Sequence, residues 1–557
     1  MLPQGLIDFF HCIYFLNAAM SNIGGQTRFL LWYLSGVLQG CPGSAFIFNM
    51  ILDPFLHAFW QVISKHGRGL VRACADDIGA ALTSYKHLMH LFPIFDIAEQ
   101  VAGLTLKPTK CNVVPTSEPL TETLINVIRK WLKTHVPKWA AINILPAAKY
   151  LGFYIGPKAG ESQWSKPLSK FLNRCSHIGQ SGVPASLATY NYNQKAVSVL
   201  MYVAQLVPLP PQASQTEKVG LQRIYHIATN ALSLESMLRL KEFGGPSPIS
   251  LAAASRAACF RASAQSFPCW QQWAPQLRIA ASKSDDLDML ARNSVSPSFW
   301  DSEAFTINLE NAWLGFPEDP KWGPAGITLL QNARPPMPCT VQELPLQARA
   351  YKNLHEAAGC SDLYQIICRR LCSWQICGAS EQAPFQLNEV LPLISKMRVH
   401  EAMQIIKTWT NSWATSVRYH ESTIFPCLLG CTDKDRYFGM IQVPPCPKAF
   451  GHLGSSPCDD FSHYLICPKM WRVIDSIVTH SVPIDPLKRL GLIDSNYENL
   501  FTLACCFHAY HAIKHVRNNH PSSLNFSANI RLFSEAFVTA AHIVGLQYTS
   551  VSMNAGG

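Results

Sequence analysis

Two stretches of this chain carry residue types at spacings suited to chemistry. Leu38-Gln39-Gly40-Cys41-Pro42-Gly43-Ser44 is followed by Val71-Arg72-Ala73-Cys74-Ala75-Asp76-Asp77. Asp76 and Asp77 close a short apolar run and have nothing local to pair with. A divalent cation such as Mg²⁺ is the natural partner for such clustered charge. Downstream of a Gln-Gly-x-Pro turn, the pair suits metal-dependent nucleotidyl transfer, which also uses a third carboxylate from an earlier strand. Only Asp8 precedes the turn. It falls among Leu6, Ile7, Phe10, Ile13 and Tyr14 at helical spacing, so it reads as a solvated helix residue.

The second constellation is Cys427-x-x-x-Cys431 followed by His463-x-x-x-Cys467. Four soft-to-borderline ligands in two close pairs suit a closed, tetrahedral and therefore structural Zn²⁺ site. Cys446, His452 and Cys458 lie between the pairs as competing ligands. The alternative is a loop of reduced cysteines that pack as small hydrophobes.

These groups need elements to position them. A helix is expected early, then a turn at Gly24-Gly25, an extended stretch from Thr27 to Tyr33, and an apolar helix to about Lys65. Gly69 to Ala75 reads as a strand, Asp76-Asp77 as a turn and Ile78 to Thr83 as the returning strand. A helix from about Tyr85 stops at Gly103, and another covers 120–139. Lys149 to Gly156 reads as a strand pair bent at glycine. Beyond it the pattern is helical to about 270, then rich in Pro, Ser and Asp over 283–345. Helices resume at 346–420, ahead of a Cys/His/Pro/Gly-rich patch at 425–471 and a helical tail.

The ordered motifs resemble those of the reverse transcriptase of non-LTR (LINE-like) retrotransposons. Gly36 to Pro42 is similar to the family's B motif, which implies that Gln39, Gly40 and Pro42 line the template and incoming-dNTP site. Cys74-Ala75-Asp76-Asp77 resembles the C motif of catalytic acids, with Cys74 where the family usually has an aromatic. Gly103-Leu104-Thr105-Leu106, with Lys110 beyond it, resembles the D motif, whose lysine lies near the leaving pyrophosphate. Lys149-Tyr150-Leu151-Gly152 resembles the E motif, which makes Tyr150, Leu151 and Gly152 a primer grip. The Cys-Cys-His-Cys set, between Asn411-Ser412-Trp413 and Trp471, is similar to the region that follows the polymerase domain in this family. The family's A motif, with its metal-bridging aspartate, has no counterpart.

The resemblance implies an α+β chain with an incomplete palm, a short antiparallel sheet with helices. Largely α-helical thumb and C-terminal segments with a small zinc-binding unit follow. The expected segments are 1–157 (partial fingers and palm), 158–282 (helical thumb or connection), 283–345 (linker), 346–424 (helical), 425–471 (Cys/His region) and 472–557 (helical). It implies an N-terminally truncated RNA-directed DNA polymerase, with RNA template, DNA primer and dNTP as partners. The chain as it stands is expected to be inactive because one carboxylate is missing. The alternative is a remnant that binds nucleic acid without catalysis.

At 557 residues, with 48% hydrophobic and 15% charged residues, the chain is globular and long enough for several domains. Its net charge of +10 leans towards a polyanion, although the excess is diluted. Nineteen cysteines without a secretory signal pattern imply reduced thiols and an intracellular compartment, nucleus or cytoplasm. The apolar window Ala45 to Ile63 carries Asp53, Pro54, His57 and Gln61, which suits a buried helix and not a membrane span. Three further groups have two readings each. His508, His511 and His515 share a helical face, as metal ligands or as a solvated or packed row. Cys368, Cys372 and Cys377 beside Arg369 and Arg370 suit metal or phosphate, or a core helix with an arginine edge. Arg129, Lys130, Lys133 and Lys138 among Trp131 and Trp139 suit nucleic acid, or an ordinary amphipathic helix.

Overall fold

Two of the described hairpins turn through glycine, at Gly24-Gly25 and at Leu151-Gly152. The computed structural model describes residues 3–15, 17–32, 43–117, 119–259, 261–262, 346–357, 363–374, 376, 385, 387–418, 420–421, 425–432, 458–519 and 525–549. The linker expected at 283–345 and the turn residues Gln39, Gly40 and Pro42 lie outside them. The chain divides into two compact units, one ending at Gln163 and one beginning at Trp164.

The first unit mixes helices with strand pairs. Helix α1 (Gln4–Tyr14) precedes strands β1 (Ala18–Ile23) and β2 (Gln26–Trp32), which join through Gly24-Gly25 at φ 63° and 80°. Positive φ at both central residues matches the twist of a tight hairpin. Helix α2 (Ser44–Val62) packs on α3 (Leu88–Ala102) and on the hairpin of β3 (Gly69–Cys74) and β4 (Asp77–Leu82). Phe59, Ile63, Leu91, Ile94, Val136, Trp139 and Ile142 form the core between them, with Val71, Ile78 and Leu82 of the hairpin packed against it. Thr121 caps α4 (Glu122–His135) by accepting from Leu124 N–H, as the residue type favours. Strands β5 (Asn112–Val113) and β6 (Asn143–Ile144) pair in parallel, and β7 (Ala148–Tyr150) and β8 (Phe153–Ile155) form a last hairpin.

Two expectations are corrected here. The single short antiparallel sheet is instead four separate two-stranded pairs, one of them parallel. No third strand joins β3–β4 among the described residues, and β3 packs on α2. Helix α2 is not a buried helix: only Leu52 and Phe59 are buried, while Phe46, Ile51 and Trp60 are exposed. The stretch Ser44–His66 is long and apolar enough to cross a membrane by length and composition.

The second unit is helical and built on one continuous core, which runs from Trp164 to Leu546. Its opening helices are α5 (Ser165–Gln180), α6 (Ala185–Asn191), α7 (Ser198–Ala204) and α8 (Ala213–Tyr225), with a π-turn over Tyr192–Val197. Glu217 is buried in this bundle. It accepts from Leu251 N–H at 2.7 Å and from the Tyr192 hydroxyl at 3.3 Å, tying the π-turn to helix 251–259. Burial raises its carboxyl to about 7. The later helices Val399–Trp409, Pro468–Ile477, Tyr497–Asn519 and Phe526–Val544 complete the same core.

Candidate functional site

Asp76 and Asp77 stand exposed at the tip of the β3–β4 hairpin. Cys74 pairs with Asp77, so Ala75 and Asp76 are the two loop residues, and Ala75 takes φ 51°. A non-glycine residue held left-handed costs on the order of 1 kcal/mol or more. The strand period then sorts the side chains. Val71, Ala73, Ile78 and Leu82 turn to one face, while Arg72, Cys74, Asp77 and Gly79 share the other.

Onto that second face comes Tyr150. The β7–β8 hairpin turns through Leu151 (φ 47°) and Gly152 (φ 91°), with Tyr150 opposite Phe153. The Tyr150 ring lies against Gly79, where a Cβ would sit 2.7 Å from Tyr150 Cζ. Glycine at 79 is therefore what lets the ring approach the strand. The Tyr150 hydroxyl bonds the Gly79 backbone, and burial raises its pKa, with Cys74 and Asp77 adding to the rise. Lys110 is exposed on the 3-10 turn Pro108–Lys110, which precedes β5. Asp8 is exposed on α1, where Gln4 Nε2 donates to its Oδ1 at 2.9 Å.

The Lys/Trp stretch is largely committed to the fold. Arg129 Nη1 donates to the carbonyls of Ala140 and Ile142, the latter at 2.6 Å, and so holds the segment leading into β6. Trp139 is buried edge-on against Phe92 and Phe95, and Lys138 pairs with Asp96. Lys130 and Lys133 remain on the exposed face.

The Cys/His centre is the most tightly built site. Ligand atoms of Cys427, Cys431, His463 and Cys467 all lie within 4.8 Å of one another. Cys467 Sγ is 3.9 Å from Cys427 Sγ and 3.3 Å from Cys431 Sγ. Tetrahedral zinc with Zn–S bonds of about 2.3 Å sets sulfurs about 3.8 Å apart. The local chain explains the cluster. Gly430 N–H closes a turn onto Cys427 O at 2.8 Å, and Gly430 takes φ 72° where a Cβ would strike the Phe526 ring at 2.6 Å. Cys467 caps the helix Pro468–Ile477, accepting from Met470 N–H at 3.4 Å, and the N-terminal dipole favours a thiolate there. The neighbouring Cys431 and Cys467 thiols draw the Cys427 pKa strongly down, whereas burial first of all pushes Cys467 up. His463 Nε2 is buried with no hydrogen-bond partner. A buried nitrogen left bare among three thiols is what a metal ligand looks like without its ion. The set can hold a metal ion, is consistent with zinc, and its burial implies a structural role.

Of the competing ligands, Cys446 and His452 lie outside the described residues, and Cys458 instead forms a backbone bridge with Pro426. No other group of three or more candidate ligands clusters among the described residues. The histidine row forms no such cluster there. His511 Nδ1 bonds Phe507 O at 2.9 Å, and burial takes the imidazole down to about 4. Cys368 and Cys372 lie on the helix Leu363–Ser373, and Cys377 falls outside the described residues.

Behind the centre lies a group that sequence reasoning missed. Asp459 is fully buried, accepting from Tyr464 and Tyr510 hydroxyls at 2.9 and 3.0 Å and from Ser416 N–H at 2.8 Å. Lys514, itself buried, donates to it at 3.3 Å and to Glu421 at 2.8 Å. The Tyr464 hydroxyl also accepts from Leu428 N–H, so this network fixes the 427–431 turn. The doublet Asp459-Asp460 was the available signal, but nothing local distinguishes its buried member.

No protein-family model matches the chain, and no curated protein matches it.

Proposed function

We propose that the chain is the later palm, the thumb and the Cys/His region of a reverse transcriptase of the non-LTR (LINE-like) retrotransposon kind. In this reading it holds an RNA template with a DNA primer and lacks a complete transfer centre of its own. The observation that carries the reading is the seating of Tyr150 on Gly79. It joins the hairpin that the resemblance makes a primer grip to the one it makes the bearer of catalytic acids, on a single face of one unit. Gln39, Gly40 and Pro42 would border the dNTP, Lys110 would face the leaving pyrophosphate, and Tyr150, Leu151 and Gly152 would bear on the primer.

The fit to metals differs between the two sites. Asp76 and Asp77 are two exposed carboxylates joined by no third acidic group among the described residues. They suit one loosely held Mg²⁺ and do not fit a two-ion centre. Cys427, Cys431, His463 and Cys467 do fit zinc, which would brace the region after the thumb. Binding of a short RNA–DNA hybrid by the full chain is expected to fall steeply as salt rises. Template-directed incorporation of labelled dNTP with Mg²⁺ is expected to be absent. Failure to bind the hybrid overturns the reading, and incorporation abolished by Asp76→Ala overturns the incomplete centre.

A further inference from the structure

Three arginines of the second unit lie near enough for their charges to act on one another, and no carboxylate among the described residues acts on Arg370. Arg369 and Arg370 lie on the helix Leu363–Ser373, and Arg418 follows the loop that carries Trp413. Each is anchored by one backbone bond. Arg370 Nη2 donates to Asn230 O at 2.9 Å, Arg418 Nε to Asn411 O at 2.9 Å and Arg369 Nε to Gln365 O at 3.3 Å. None of the three forms an ion pair among the described residues. The charged neighbours acting on Arg370 are Arg418 and Arg369, and its pKa falls below its ordinary value through burial and then through them. Arg418 Nη2 is buried and has no hydrogen-bond partner among the described residues.

A guanidinium stays protonated whatever its surroundings, so this charge cannot be relieved by titration. A buried donor left unmade carries the desolvation penalty of its group, and that penalty is larger for a charged group than for a neutral one. An anion with several acceptor oxygens removes both penalties, and the planar fork of arginine matches phosphate. We propose that Arg369, Arg370 and Arg418 form a binding site for the phosphodiester backbone of a nucleic acid. That choice of occupant rests on the reading given under Proposed function. Arg369 is exposed while the Arg418 donor is recessed, so the positive strip runs from surface to interior and suits successive phosphates.

The Cys/His centre builds this site. Arg418 N–H donates to Thr415 Oγ1 at 3.2 Å, and the adjacent Ser416 N–H is held by Asp459. Trp374, one residue past the arginine helix, packs on Phe461 at 4.8 Å between ring centroids. The competing occupant is one water joining Arg418 Nη2 to Asn411 Oδ1, which is also buried and unpaired.

The test uses the full zinc-loaded chain, a short RNA–DNA hybrid and a salt series. Arg369→Gln and Arg370→Gln are each expected to lower affinity by about tenfold and the salt slope by about one. Arg418→Lys, which keeps charge and loses the fork, is expected to lower affinity with a smaller change in slope. Zinc content and the unfolding midpoint of Arg369→Gln, an exposed residue, are expected to stay at wild-type values. Wild-type binding and slope in all three variants overturns this inference alone and leaves water as the occupant. A wild-type chain that ignores the hybrid but binds a phosphorylated peptide overturns both this inference and the reading beneath it.

Discussion

Replacing Asp459 with asparagine tests what holds the Cys/His region together. The carboxylate is wholly buried, with Oδ1 taking two tyrosine hydroxyls and Oδ2 taking Ser416 N–H and the Lys514 ammonium. Asparagine is nearly isosteric, so no cavity opens. Its oxygen can face Ser416 and Lys514, but its NH₂ then meets Tyr464, whose oxygen already accepts from Leu428 N–H. Lys514, whose side chain is only 4% exposed, is left with Glu421 as its one carboxylate partner. Breaking a buried pair from one side costs about 3–5 kcal/mol when the surviving charge loses its buried partner, and the part-exposed Glu421 offsets only some of that for Lys514. Asp459→Asn is therefore expected to destabilise the second unit by about that much in denaturant unfolding, followed by near-ultraviolet dichroism around Trp413. Adding Lys514→Met removes the stranded charge, so the double variant is expected to recover at least half of the loss. An Asp459→Asn chain within about 1 kcal/mol of wild type, or a double variant no better than the single one, refutes this reasoning.

Three more outcomes follow from particular contacts. Glu217 is raised from 4.5 to about 7, so the native state binds a proton that the unfolded state releases between those values. Stability is thus expected to fall as pH rises from 4.5 to 7, by about 3 kcal/mol, and Glu217→Gln is expected to flatten that slope in unfolding measured across pH. Gly79→Ala places a methyl group inside the Tyr150 ring and is expected to cost the first unit about 1–3 kcal/mol in thermal unfolding, with a shifted Tyr150 ring resonance. Arg129→Gln removes the two bonds that hold the carbonyls of 140 and 142. It is expected to cost about 2 kcal/mol of stability while hybrid binding and its salt slope stay unchanged.

Local signals were legible wherever one residue type answers one backbone demand. Gly24-Gly25 and Leu151-Gly152 turn hairpins because left-handed backbone is needed there, and the run from Gly69 to Thr83 declared a hairpin, with its turn at Ala75-Asp76 in place of the expected Asp76-Asp77. The two short Cys/His spacings declared a four-ligand centre, although 31 residues separate Cys431 from His463. What escaped the sequence depends on partners distant along the chain. Apolar α2 looks buried, but burial is decided by what covers it, and most of its surface stays open. Arg129 read equally as a nucleic-acid contact or as the charged face of an amphipathic helix, because its two carbonyl acceptors lie 11 and 13 residues away. Asp459 and Lys514 are 55 residues apart and carry no mark of their pairing. The single core of the second unit was equally hidden, since helical periodicity reports an apolar face and not its partner.

Iron-directed cleavage of a bound RNA–DNA hybrid reports which part of the nucleic acid lies at the Asp76–Asp77 pair. With hydrogen peroxide and ascorbate added, Fe²⁺ in place of Mg²⁺ is oxidised to Fe³⁺ as the peroxide O–O bond breaks into hydroxide and a hydroxyl radical, ascorbate returns the iron to Fe²⁺, and the radicals cut nucleic acid close to the Asp76–Asp77 pair. Cuts centred on the primer 3′ end, lost in Asp76→Ala and Asp77→Ala, are the predicted result. Cuts scattered along the hybrid, or a pattern indifferent to both substitutions, contradict the account.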